Sequence, residues 1–185
     1  MSILYFNTVN HTKISEIKHI FSDMIDMVRF TNYKILEPLS SSLEELAPVK
    51  VSDAYKAARV PVVVEHGALE IDYLNGLPGA LSKPIWDGLG GKLCDLIPSG
   101  EDRGAHACSA VAYCDGFRRH TFIVRVPGTI SEARMGSGGF QWDPIFIPDG
   151  SDLTYAQMDQ GEKLRYSQAA RAYGELRDYL GLPVQ

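Results

Sequence analysis

The chain of 185 residues is 45% hydrophobic and 22% charged, a balance that builds a packed core and excludes the disordered, collagen-like and coiled-coil classes. At this length folding buries roughly 70% of the extended-chain surface, so no disulfide or metal staple is needed for stability. With 18 Lys and Arg against 23 Asp and Glu the net charge is -5, which argues against binding a nucleic acid polymer but leaves room for a small polyanion where basic side chains converge. The apolar runs fall far short of ~20 residues and no charged-then-apolar leader opens the chain, so no membrane association is expected. Cys94, Cys108 and Cys114 are an odd number in a chain too large to need cross-links, and are expected as reduced thiols in a cytoplasmic protein.

In chain order, Ile3-Leu4-Tyr5-Phe6 reads as a short strand, followed by a polar loop and then Ile14, Ile17, Ile20, Phe21, Met24 and Ile25 at helical spacing. Thr12 is the expected N-cap, and the loop before it would aim backbone N–H groups at a phosphate. A second strand is expected at 33–36, a helix at 52–59 and a buried strand at 61–64, with Glu65-His66 at its carboxyl end, where open α/β sheets gather their ligands. Asn75-Gly76-Leu77-Pro78-Gly79 predicts a reversal with a close backbone approach. Segments 105–114 and 120–126, joined through Asp115-Gly116, predict an antiparallel hairpin. A glycine-rich loop at 136–139 leads to Phe140-Gln141-Trp142-Asp143-Pro144 and a short strand. Asp159 and Glu162 open a capping box before a final helix that Gly181 and Pro183 stop. No repeat, low-complexity tract or linker divides the chain, so 1–185 is expected as a single α/β domain: an elongated mixed sheet, flanking helices, and two lobes around a central cleft.

Two simpler chemistries fail on spacing. Gly88-Leu89-Gly90-Gly91-Lys92-Leu93 lacks the four-residue gap and the Ser or Thr of a phosphate-binding P-loop. His106, Cys108, Cys114 and His120 match no zinc pattern, and no residue visibly orients a Cys–His nucleophile.

Several motifs taken together carry more. Thr8-Val9-Asn10-His11-Thr12-Lys13, Glu65-His66, Leu74 to Gly79 and Phe140-Gln141-Trp142-Asp143-Pro144-Ile145-Phe146, followed by Thr154 to Met158 and Lys163 with Ser167, resemble in order and spacing the inosine triphosphate pyrophosphatase family of non-canonical purine nucleoside triphosphate pyrophosphatases. Members show T-G-N-x-x-K, E-D-S/T-x-L, L-x-G-x-P-G, F-G-Y/W-D-P-x-F, T-Y/F-A-x-M and K-x-x-x-S-H-R. The resemblance implies a two-lobed α/β fold, a homodimer, and magnesium-assisted hydrolysis of a nucleoside triphosphate between its α and β phosphates, giving monophosphate and pyrophosphate.

Carried onto this chain, the resemblance implies that Thr8, Asn10, Lys13, Lys56, Lys83 and Lys163 hold the phosphates. Glu37 and Glu65 ligate magnesium, with Glu65, His66 and Lys13 at the reacting centre. Phe140 stacks the base, Trp142 walls its pocket, Asp143 offers acceptors, and Ser167 and Gln168 complete the site. Lys163 and Ser167, four apart, are expected on one face of the last helix.

The departures matter as much. Glu65-His66 replaces the acidic pair, so an imidazole stands where an aspartate would bind metal or activate water; neutral imidazole accepts a proton near pH 7 but is a poorer magnesium ligand. Ser167-Gln168-Ala169 replaces S-H-R, removing donors that read a 6-oxo group, while Gln168 can both donate and accept. Val9 and Gln141 add bulk where relatives keep glycine. An altered base preference follows, with a non-hydrolysing nucleotide binder and a pyrophosphatase for modified or pyrimidine nucleotides, as in the related septum-formation-inhibitor family, as alternatives.

Overall fold

Alternation along the strands divides the core between two faces of one sheet. In the computed structural model, which describes residues 3–182, the strands are β1 (Leu4–Asn7), β2 (Val28–Thr31), β3 (Val62–Ile71), β4 (Pro78–Gly79), β5 (Gly104–Cys114), β6 (Arg119–Ile130) and β7 (Phe146–Pro148). They form one mixed sheet in the order β2-β1-β3-β5-β6-β7, with β4 beside β3. β1 runs parallel to β2 and β3, whereas β3, β5, β6 and β7 pair antiparallel in turn. The helices are α1 (His11–Ile20), α2 (Leu43–Ala58), α3 (Ser82–Leu89), α4 (Gln160–Tyr166) and α5 (Gln168–Tyr179).

Because successive strand residues face opposite ways, Val63, Val111 and Tyr113 pack with Ile17 of α1 and Tyr173 and Leu176 of α5. Val62, Val64, Ala110 and Ala112 pack with Leu43, Leu46, Val51 and Ala54 of α2 on the other face. A third cluster at the far end of β5 and β6 gathers Trp142, Phe146 and Tyr155 around Leu69, Ile71 and Val126. The mixed sheet with helices on both faces is the expected fold class.

Four local readings change. The N-cap of α1 is Asn10, not Thr12: its Oδ1 accepts from Thr12 N at 2.9 Å and Lys13 N at 3.2 Å. The second strand is Val28–Thr31 rather than 33–36, because Asn7 Oδ1 and Asp53 Oδ2 take the N–H groups of Tyr33 and Leu36 that a ladder would need. α2 starts at Leu43 rather than 52, capped by Ser42 on Glu45 N; Pro48 in its second turn is tolerated because the apolar stripe below it is buried. The final helix is two: the chain breaks at Ser167, whose Oγ accepts from Ala170 N at 3.2 Å and caps α5. Asp159 caps α4 on Glu162 N as the capping-box pattern predicts. Gly181 lies just past α5 at φ 63; Pro183 lies outside the described residues.

The reversal at 75–79 makes the close approach that its composition predicts. Gly79, at φ 57, sits where a Cβ would meet Ser41 O at 2.3 Å, and that carbonyl accepts from Ala80 N at 2.8 Å. Only glycine fits such a contact in a left-handed conformation.

Candidate functional site

Strand β3 is much longer than 61–64, so Glu65 and His66 lie mid-strand rather than at its end. They reach a cleft all the same, because β3 is paired on one side only in part. β1 matches it at Val62 and Val63, and β4 picks it up at Leu69. Between them 64–68 leave an edge that no described strand covers, and this edge floors a cleft of about 510 Å³.

Strand alternation sends the two side chains to opposite faces. Glu65 turns toward α1, where its carboxylate pairs with Lys13 and accepts from Ser109 Oγ at 3.0 Å. His66 turns toward α2, where Nδ1 lies 3.4 Å from Lys50 Nζ and Nε2 lies 2.8 Å from Ala80 O. Both lysines also reach back to the carbonyl oxygen of Glu65, Lys13 at 3.5 Å and Lys50 at 3.4 Å. Two ammonium groups thus converge from the two faces on one exposed strand edge, an arrangement suited to a polyanion.

Valence settles the imidazole. A carbonyl oxygen can only accept, so His66 Nε2 carries the hydrogen, and Nδ1 offers its lone pair to Lys50. Burial and Lys50 beside it keep the His66 pKa below the ordinary value, so the ring is neutral at pH 7. Burial alone would raise the Glu65 carboxyl, but the ion pair with Lys13 outweighs it and holds the group ionised. Lys50 is lowered by burial and by Lys13, with Glu37 opposing. Glu37 itself would be raised by burial, yet its pairing with Lys50 brings it down.

At the other end of the cleft, Asp143 is almost fully buried. Its Oδ2 accepts from Phe140 N and from Lys163 Nζ, both at 2.6 Å. Gly139, at φ 79, leaves room for this carboxylate where a Cβ would meet it at 2.4 Å. Lys163 also faces Glu16 at 3.7 Å, whose own pKa burial pushes up against the pull of Lys163.

The Ham1 family model matches residues 4–179. The chain belongs to the Ham1 family. It is 35% identical over 175 residues to a dITP/XTP pyrophosphatase of Saccharolobus solfataricus, covering 94% of this chain and 91% of that one. It is 36% identical over 185 residues to an inosine triphosphate pyrophosphatase of Kluyveromyces lactis, covering 96% and 95%. The Ham1 protein of Staphylococcus aureus superposes with a TM-score of 0.75 at 25% identity, over 96% of this chain and 98% of that one. The Coxiella burnetii HAM1 protein shares the fold with a TM-score of 0.84 at 23% identity, over 98% and 99%.

In this Ham1 chain Thr8, Asn10, Lys13, Glu37, Glu65, His66, Lys83, Phe140, Trp142, Asp143, Lys163 and Gln168 all line the cleft. Lys83 stands at its rim and pairs with Asp87. Trp142 is mostly core, edge-on to Phe146 at 5.8 Å. Two expected residues fall elsewhere. Lys56 is exposed and away from the cleft, because six helix positions from Lys50 turn it about 240° around α2. Ser167 is buried and spends its hydroxyl capping α5, so it does not share a helix face with Lys163.

The residues missed are Lys50, Glu16 and Ser109. Lys50 had a readable signal: with Leu43, Leu46, Ala47, Val51 and Ala54 it occupies the apolar stripe of α2, where a lysine needs a partner. Glu16 sits one turn from Lys13 on α1, a weaker sign. Ser109 carried none, since its place beside Glu65 depends on the β3–β5 register.

Proposed function

We propose that this Ham1 chain is a magnesium-dependent nucleoside triphosphate pyrophosphatase. Water adds across the bond between the α and β phosphates, releasing nucleoside monophosphate and pyrophosphate. The observation that carries the reading is the convergence of Lys13 and Lys50 on the uncovered Glu65 edge, in one cleft with the aromatic side chain of Phe140. The names of the relatives supply the reaction class.

The residues fit magnesium in the manner this ion adopts with nucleotides. Among the described residues no three His, Cys, Asp or Glu side chains form a ready metal cage. Magnesium commonly keeps several waters and takes one or two carboxylates plus substrate phosphates. Glu65, buried and ionised, is the carboxylate suited to that role, with Glu37 a more exposed second. When bound, the ion neutralises phosphate charge and polarises the phosphoryl centre.

The chain's own residues do the rest. Lys13, Lys50 and Lys163 receive the phosphate chain, and the backbone N–H of His11, which neither Thr8 nor Asn10 takes, faces it with the positive end of the helix dipole. Lys50 and Lys163 exchange their pairs with Glu37 and Asp143 for phosphate oxygens. Phe140 stacks the base. His66 acts on Lys50: with Nε2 fixed on Ala80 O, its Nδ1 aims the ammonium. This differs from the water-activating role its position implies, since both nitrogens are already engaged.

That engagement also favours a second reading, a nucleotide binder without hydrolysis. A homodimer in a cytoplasmic setting is part of the proposal; among the described residues no helix is long and apolar enough to cross a membrane. The test incubates the protein with magnesium and a panel of canonical, 6-oxopurine and modified nucleoside triphosphates. The proposal expects turnover that requires the metal and is lost in Glu65→Gln with folding intact. Nucleotide-dependent thermal shifts without product would support the binder instead.

A further inference from the structure

Ser109 is fully buried in β5, on a stretch, 105–112, whose other residues are Ala, Cys, Val and one His. Among the described residues its hydroxyl makes one hydrogen bond, donating to Glu65 Oε1 at 3.0 Å. The register of the two strands explains the reach. Ser109 lies opposite Gly67, and Glu65 lies opposite Val111. Residues two apart on a strand share a face, so serine and glutamate are diagonal neighbours on one side of the sheet. Gly67, between them, brings no side chain into that space. A Cβ there would stand 3.5 Å from Glu65 Oε1, an ordinary contact. This glycine occupies the third position of the E-D-S/T-x-L pattern, which calls for a hydroxyl residue. In this chain the hydroxyl beside Glu65 comes instead from the facing strand.

A carboxylate offers about four lone-pair sites, and its terminal torsion is soft when nothing holds it. Here both oxygens are held: Oε2 by Lys13 and Oε1 by Ser109. Without the serine, only Lys13 would set the plane of the group, and Lys13 belongs to α1 and moves with the phosphates it receives. We infer that Ser109 is a positioning residue of the metal site, fixing the Glu65 carboxylate for a divalent cation with the hydroxyl that position 67 lacks. It touches neither substrate nor metal, and acts only through Glu65. Partners that orient a metal-ligating group typically change metal affinity about 10- to 100-fold when removed. The inference rests on the proposed magnesium role of Glu65.

The test titrates Mn²⁺, followed by electron paramagnetic resonance, into protein holding the α,β-methylene analogue of inosine triphosphate. It compares wild type, Glu65→Gln, Ser109→Ala, and Ser109→Ala combined with Gly67→Ser. The expected result is Mn²⁺ binding weakened about tenfold or more by Ser109→Ala, while the affinity for the analogue without metal stays within about twofold. Gly67→Ser then restores most of the lost metal affinity, because it returns a hydroxyl to the same carboxylate from the other strand. A purely structural serine would lower stability without moving the metal titration and would not be rescued from position 67. Unchanged Mn²⁺ affinity in folded Ser109→Ala, or no rescue by Gly67→Ser, overturns the inference while a loss in Glu65→Gln leaves the metal role of Glu65 standing. Mn²⁺ affinity unmoved by Glu65→Gln overturns that role and the inference with it.

Discussion

Lys50 Nζ lies 3.4 Å from His66 Nδ1 and pairs on its other side with Glu37. One buried ammonium is thereby steered by a neutral imidazole on β3 and a half-exposed carboxylate from the loop before α2. Since Lys50 also touches the Glu65 carbonyl, it links both faces of the uncovered strand edge, and the first prediction concerns it.

Replacing Lys50 with Met keeps the apolar stripe of α2 intact and removes the charged hydrogen bond to the phosphates that the proposed function gives this residue. Such bonds contribute about 1.5–3 kcal/mol, so kcat/KM falls about ten- to a hundredfold. Lys56→Met, on the exposed side of the same helix, changes it by less than about twofold. Equal effects of the two variants in steady-state assays would contradict the placement.

Ser167→Ala tests whether that hydroxyl is structural. Loss of the α5 cap costs about 1 kcal/mol of stability, visible in a denaturant midpoint, while KM for the nucleotide stays within about twofold. A raised KM with unchanged stability would place Ser167 on the substrate.

The hairpin between β5 and β6 makes stability depend on pH through Asp115. Its Oδ1 accepts from Arg118 N at 2.7 Å and Phe117 N at 2.9 Å, and these bonds hold its pKa below the usual 3.8. A depressed carboxyl stabilises the fold above its unfolded-state pKa and loses that contribution as pH falls through its folded value. The melting-temperature gap between wild type and Asp115→Ala is therefore fully open at pH 7 and narrows below about pH 4. A gap that stays constant down to pH 3 would refute the assignment.

Cys94, Cys108 and Cys114 are all buried and free, and burial pushes the thiols of Cys94 and Cys108 upward. Little thiolate forms at pH 7, and the thiolate is the reactive species. A disulfide-exchange dye should titrate three thiols in denaturant and react far more slowly with the folded protein. Rapid labelling of native protein would show that a cysteine is open.

How much of this was legible beforehand depended on whether a feature is local. The β5–β6 hairpin, the Asp159 cap and the glycine approach at Gly79 follow from turn chemistry within a few residues, and the sequence exposes them. The strand at 33–36 failed because Asn7 and Asp53, distant in sequence, claim its N–H groups. The long final helix failed because Ser167 suits a cap as well as a helix interior. Within the cleft, motif spacing placed Lys13, Glu65, Asp143 and Lys163, yet chose Lys56 over Lys50 because the phase of α2 was not followed around its apolar stripe. The neutral state of His66 needed the Ala80 carbonyl, which only the fold brings to it.

The most direct test of the central claim is the identity of the products. Phosphorus NMR of the protein with magnesium and a hydrolysed nucleoside triphosphate should show monophosphate and pyrophosphate appearing in equal amounts, and neither with Glu65→Gln. Diphosphate with orthophosphate would mean that a different bond is cut and would contradict the account.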